Sequence, residues 1–197
     1  YALPPRPGMM PGNLSTPDFL AQTAREIATR HGMEVSVLGR AEMEQLGMGS
    51  FLSVAQGTTQ DPKLIALELR KGKKGEKPVV LVGKGLCFDT GGVSIKPAQG
   101  MEWMKFDMCG AAGVLGAMEA IARLDLPVNV VGLVGATTNV VSGDAIRPGD
   151  VVRSHTGKYT EVITPDAEGR LVLADVLSYA RKYEPSIIVD AATLTGA

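Results

Sequence analysis

Apolar positions recur along the chain with two periods. Thr16-Pro17-Asp18 supplies a hydroxyl cap, a proline at the first helical position and an acid in the first turn. Phe19, Leu20, Ala24 and Ile27 follow at helical spacing until Gly32, which predicts an amphipathic helix. Val35, Val37 and Leu38 predict a short strand, and residues 41–46 a short helix closed by Gly47. Residues 51–55, 63–69 and 78–82 predict three further strands, the last of the continuous apolar kind that lies buried within a sheet. Residues 107–124 are small and apolar, suited to a helix packed closely on a neighbour. A second apolar strand is expected at 128–134, then a Gly- and Asn-containing loop, a hairpin across Gly157 and a helix over 171–183. A third buried strand is expected at 186–192. Buried strands alternating with helices predict an α/β fold, a mainly parallel central sheet flanked by helices in three α/β/α layers. No internal repeat is present.

Length allows one substantial domain and at most two. Residues 1–13, rich in Pro and Gly, read as an irregular lead-in to a domain over 14–197. With 20 Lys and Arg against 21 Asp and Glu, charge gives no case for nucleic acid or an anionic membrane. The lysine-rich segment 71–77 lies between two strands and reads as a solvated turn. Two cysteines, Cys87 and Cys109, form neither a disulfide framework nor a CxxC pattern, which fits a reducing, cytoplasmic setting. No apolar run is long enough to span a bilayer, and no signal-peptide pattern begins the chain. The chain starts at Tyr1 and stops at Ala197 just past an apolar strand, so both ends are expected to be cut.

Chemistry gathers at strand ends. Asp166-Ala167-Glu168-Gly169-Arg170 places two carboxylates at i and i+2 before a helix, where both can face one hard cation. Alone, this also fits an ordinary helix cap. In α/β sheets, ligands bind at the carboxyl ends of the strands. After the strand at 78–82 come glycines 83, 85, 91 and 92 with Lys84, Asp89, Lys96 and Asp107. The spacing fails the phosphate-binding Walker pattern.

Together these loops resemble the leucine aminopeptidase family of cytosolic metallo-exopeptidases. The resemblance is carried by Val-Gly-Lys-Gly at 82–85, Phe-Asp-Thr-Gly-Gly at 88–92, Ser-Ile-Lys-Pro at 94–97 and Met-Lys-Phe-Asp-Met-Cys-Gly-Ala-Ala at 104–112. It continues through Arg-Pro-Gly-Asp at 147–150, Asp-Ala-Glu-Gly-Arg-Leu-Val-Leu-Ala-Asp at 166–175 and Ala-Thr-Leu-Thr-Gly-Ala at 192–197. It implies two divalent metal ions per subunit, Zn or Mn with Mg or Co possible, held by Lys84, Asp89, Asp107, Asp166 and Glu168. Four carboxylates meeting in one small site would repel one another without cations.

The resemblance also implies that Lys96 steadies the oxyanion and that Arg170 holds a bicarbonate proton shuttle, seated by the backbone at Ala167, Gly169 and Leu194. Met104, Thr193 and Gly196 match positions lining the pocket for the substrate's first side chain, suiting Leu and similar apolar residues. Thr164-Pro165 stands where the family usually has Asn-Thr, so Thr164 replaces an amide that holds the leaving part of the substrate. His31 and His155 lie outside every matched motif and are expected in surface or capping roles.

The expected activity is release of N-terminal residues from peptides with a free N-terminus. Self-association to a homohexamer is expected in the full-length protein. Because family members continue past residue 197, the chain is expected to be truncated on the C-terminal side, with Ile187 to Ala192 uncovered. The alternatives are an inactive fragment and a non-enzymatic oligomer with a structural or nucleic-acid-binding role.

Overall fold

Thr16 opens α1 (Pro17–His31): its hydroxyl accepts the Phe19 N–H at 3.2 Å, and Gly32 ends the helix. This computed structural model describes residues 7–195. Of the lead-in, Pro7–Met9 forms a 3-10 turn, and residues 1–6 lie outside the described part. β1 (Glu34–Leu38) and α2 (Arg40–Gln45) follow as the pattern predicts.

Residues 51–55 depart from the predicted strand: α3 (Gly49–Val54) is a helix. Its start is held from afar. The Asp175 carboxylate accepts the Phe51 N–H at 2.8 Å, and the Ser50 hydroxyl donates to the Leu171 carbonyl at 2.9 Å. Both partners lie more than a hundred residues away, so tertiary bonds override the β-leaning local composition.

β2 (Lys63–Arg70), β3 (Val79–Asp89), α4 (Cys109–Arg123) and β4 (Asn129–Asn139) follow. Both β3 and β4 run further than their apolar cores. β3 extends through the glycine-rich stretch to Asp89, and β4 through Thr137-Thr138 to Asn139. The hairpin across Gly157 pairs β5 (Val151–Arg153) with β6 (Tyr159–Glu161). α5 (Glu168–Ala180) then leads to β7 (Ile187–Ala191).

The central sheet has the order β1-β2-β4-β3-β7. β3 is parallel to both β4 and β7, whereas β1–β2 and β2–β4 pair antiparallel. The mainly parallel expectation therefore holds for one half of the sheet only. For β2, which runs opposite to β3 and β4, the physical reason lies in the 71–78 connection: it carries no helix, and a short link reverses direction where a parallel return needs a crossover. This turn is largely solvent-exposed, as expected, and the Asn129 amide donates to the Lys73 and Glu76 carbonyls within it.

Helices cover both faces, giving the three layers. Leu20, Ile65, Leu67, Val114, Leu115 and Met118 pack with α1 and α4 on one face. Phe51, Leu64, Leu133, Val172, Val176 and Tyr179 pack with α3 and α5 on the other. Alternate residues of β2 point to opposite cores, as the two-residue period requires.

The third predicted buried strand is a correction. β7 sits at the sheet edge, with Ile187 54% and Val189 49% exposed. An apolar run specifies a strand but not what covers it. Among the described residues no helix is long and apolar enough to cross a membrane.

Candidate metal centre

The carboxyl ends of β3, β4 and β7 lie side by side, and the charged residues collect there. Lys84 occupies the middle of β3 and is 2% exposed. Its ammonium lies 2.8 Å from Asp107 and 2.8 Å from Glu168, and donates to the Thr193 carbonyl at 2.5 Å. Asp107 follows the 3-10 turn Met101–Phe106, and Glu168 is the first residue of α5.

Two glycines make these approaches possible. A Cβ on Gly110 would lie 2.0 Å from the Ala191 carbonyl oxygen, so only glycine lets α4 carry Asp107 so close to β3 and β7. A Cβ on Gly169 would sit 2.7 Å from Lys84 Cε and 2.8 Å from Leu194 Cδ2.

Asp89 ends β3. Its Oδ1 accepts the Gly91 N–H at 2.9 Å and the Asn139 amide at 2.8 Å, while Oδ2 lies 2.9 Å from the Lys96 ammonium. Lys96 also pairs with Asp166. Asp89, Asp107 and Glu168 are all buried and each offers an oxygen within 4.8 Å of the others. Asp107 Oδ2 and Glu168 Oε2 are buried with no hydrogen-bond partner. An anionic oxygen stripped of water and left bare is costly, so this donor set fits hard divalent cations. Asp166 stands at the rim, its side chain 38% exposed, joined to the cluster through Lys96.

Burial, with repulsion from Asp89 added, pushes the Glu168 carboxyl up to about 7 against the opposing pull of Lys84. Burial also raises Asp107. Burial alone would lower the Lys96 ammonium, but Asp166 and Asp89 outweigh it and raise it.

The remaining predicted residues divide. Thr193 belongs to the cluster: its hydroxyl donates to Asp107 Oδ1 at 2.6 Å. Gly169 and Leu194 meet beside Lys84. Arg170 is exposed and, with Thr164 and Ala167, lines a separate cavity of about 290 Å³. The Ala167 N–H already donates to the Thr164 carbonyl at 3.0 Å, so it is engaged within its own turn. Pro165 occupies the first position of the turn Pro165–Ala167, where a missing N–H costs little. Met104 lies half-buried in the turn before Asp107. Gly196 lies outside the described residues.

His31 ends α1, 3.7 Å from Glu119, and the His155 ring bonds the Ser178 hydroxyl at 2.7 Å; neither is among the residues of the centre. One residue of the centre escapes the sequence patterns. Asn139, 2% exposed, falls in what reads as a loop. The available signal is the polar run Thr137-Thr138-Asn139 closing an otherwise apolar strand.

Residues 7–197 match the cytosol aminopeptidase family, catalytic domain. The chain is 56% identical over 190 residues to a probable cytosol aminopeptidase of Methylobacillus flagellatus, covering 96% of this chain and 38% of that protein. Probable cytosol aminopeptidases of Azoarcus sp. and Aromatoleum aromaticum are 55% and 54% identical over 190 residues, with the same coverage. The chain thus spans 38% of the length of these curated relatives.

Proposed function

The chain belongs to the cytosol aminopeptidase family, and on that premise we propose that residues 14–197 form the metal-bearing part of a catalytic domain that removes N-terminal residues from peptides. One observation carries the reading: three buried carboxylates within 4.8 Å of one another, two of them with a bare oxygen.

Lys84, Asp89, Asp107, Asp166 and Glu168 would hold two divalent ions, Zn or Mn with Mg or Co as alternatives. Bound there, such ions activate water, polarise a peptide carbonyl and receive the free α-amine that marks a chain terminus. Lys84 counters the charge of Asp107 and Glu168 and keeps both at bonding distance. As a ligand it would act as the neutral amine.

Lys96 keeps its proton between Asp89 and Asp166, and its ammonium supplies positive charge where the carbonyl oxygen becomes negative. The Thr193 hydroxyl orients Asp107. Arg170, planar and exposed, suits a bicarbonate acting as proton shuttle, with the backbone of Ala167, Gly169 and Leu194 as its proposed seat. Met104, Thr193 and Gly196 would border the pocket for a Leu-like first side chain. Thr164 would face the leaving peptide. A cytoplasmic homohexamer is the proposed setting of the longer protein. A non-enzymatic or nucleic-acid-binding role gives no reason to keep bare carboxylates in contact.

The test is hydrolysis of leucine p-nitroanilide by this chain, stripped of metal and restored with Mn²⁺ or Zn²⁺, beside Glu168→Gln. Metal-restored turnover lost in E168Q supports the proposal. Turnover unchanged in E168Q refutes it. Two bound ions without turnover would assign the chain a formed centre that needs the rest of the protein for its pocket.

A further inference from the structure

We infer that Asn139 is a positioning residue of this centre: its single amide ties together the loops carrying Asp89 and Asp166 and fixes which Asp89 oxygen faces the cations. The inference rests on the metallo-aminopeptidase reading above.

Asn139 ends β4 directly opposite Asp89 in the parallel register, past an irregularity between Leu86 and Asp89. Its Nδ2 carries two hydrogens, and both are used. One goes to Asp89 Oδ1 at 2.8 Å and the other to the Pro165 carbonyl at 3.0 Å. The amide orientation follows from chemistry, because both neighbours are acceptors and a reversed amide would set oxygen against a carboxylate.

With Gly91 also donating to it, Asp89 Oδ1 is filled. Only Oδ2 remains for a cation, and it points to where the Lys96 ammonium lies. The main chain of Asn139 adds a second hold, its carbonyl accepting from the Thr90 N–H at 2.9 Å and the Thr90 hydroxyl at 3.1 Å. Asp89 and Asp166 come from loops with a whole crossover between them. Asn139 bonds one loop at its acid and the other at the residue immediately before its acid. Groups that hold ligands in this way typically change metal affinity by about 10- to 100-fold when removed.

The test measures Mn²⁺ binding by equilibrium dialysis, and the electron paramagnetic resonance spectrum of the bound Mn²⁺, for this chain, Asn139→Ala and Asn139→Ser. Metal-free melting of each protein is the folding control. The expected result is two ions in the unaltered chain and one of them weakened by about 10- to 100-fold in N139A, with an altered spectrum. N139S keeps one short donor and should fall between; if N139A does not fold, N139S decides. Affinities and spectrum unchanged in the folded variants, even with a lower melting temperature, would overturn the inference and leave the metal reading standing. An unaltered chain that binds neither Mn²⁺ nor Zn²⁺, Mg²⁺ or Co²⁺ in the same dialysis would overturn both, and that result is read without any variant.

Discussion

Replacing Gly110 by alanine sets two opposing effects against each other. Gly→Ala stabilises a helix interior by about 1 kcal/mol, an upper bound for Gly110, the second residue of α4. Here the new methyl would lie 2.0 Å from the Ala191 oxygen and 2.9 Å from both the Ala191 carbonyl carbon and the Lys84 nitrogen. A carbon–oxygen contact needs about 3.3 Å, so α4 must retreat by roughly 1.3 Å. All three obstructing atoms are backbone within the sheet and cannot swing aside as a side-chain tip could. Overpacking of this kind costs about 1–3 kcal/mol, so G110A should come out less stable than the unaltered chain.

The retreat also carries Asp107, three residues earlier, away from Glu168 and Lys84. A displacement of about 1 Å in a reacting constellation can cost on the order of 100-fold in rate. Urea unfolding of the metal-free proteins measures the first effect, and Mn²⁺ affinity with leucine p-nitroanilide turnover the second. G110A that is more stable than its parent and binds Mn²⁺ equally well would refute the close-approach argument.

Other outcomes follow from the same geometry. Glu168 titrates at about 7 in the fold against 4.5 in the open chain, so between those values the native state holds the extra proton. The contribution of Glu168 to the stability of the metal-free protein is therefore fully present below pH 4.5 and is lost as pH rises through 7, by about 3 kcal/mol in all, and E168Q should remove this part of the slope in thermal melts. Lys96→Met keeps the stem and removes the charge; metal stoichiometry should hold while kcat drops by about 100-fold or more, and an unchanged kcat would remove Lys96 from the mechanism. Asp175→Ala strips the acceptor from the buried Phe51 N–H and the half-buried His155 N–H. The buried Phe51 donor should cost about 1–3 kcal/mol in urea unfolding and the half-buried His155 donor less, without altering bound metal.

The sequence carries the strands and helices flanking the centre, because an apolar run or a capped period needs only neighbours along the chain to be read. It does not carry α3, whose helical start depends on Asp175 and Leu171 arriving from α5. Nor does its apolar pattern say that β7 lies at an edge, since Ile187 and Val189 look the same whether covered or bare; only the family resemblance leads to Ile187 to Ala192 being expected uncovered. The glycine-rich stretch after Val82 reads as a loop, yet it continues β3 as far as Asp89 because β4 extends alongside it. Lys84, Asp89, Asp107 and Glu168 are legible through their motifs and do converge. Asn139 is not, because its role exists only once two strands are in register.

The partners of Lys84 also impose an order in time. Its ammonium is held by Asp107, Glu168 and Thr193, which leave the ribosome one after another, with long segments translated between them. A nascent chain that has formed β3 and α4 holds Lys84 with Asp89 and Asp107, but still lacks Asp166, Glu168 and Thr193. The centre closes only when the last of the three emerges and β7 docks against β3.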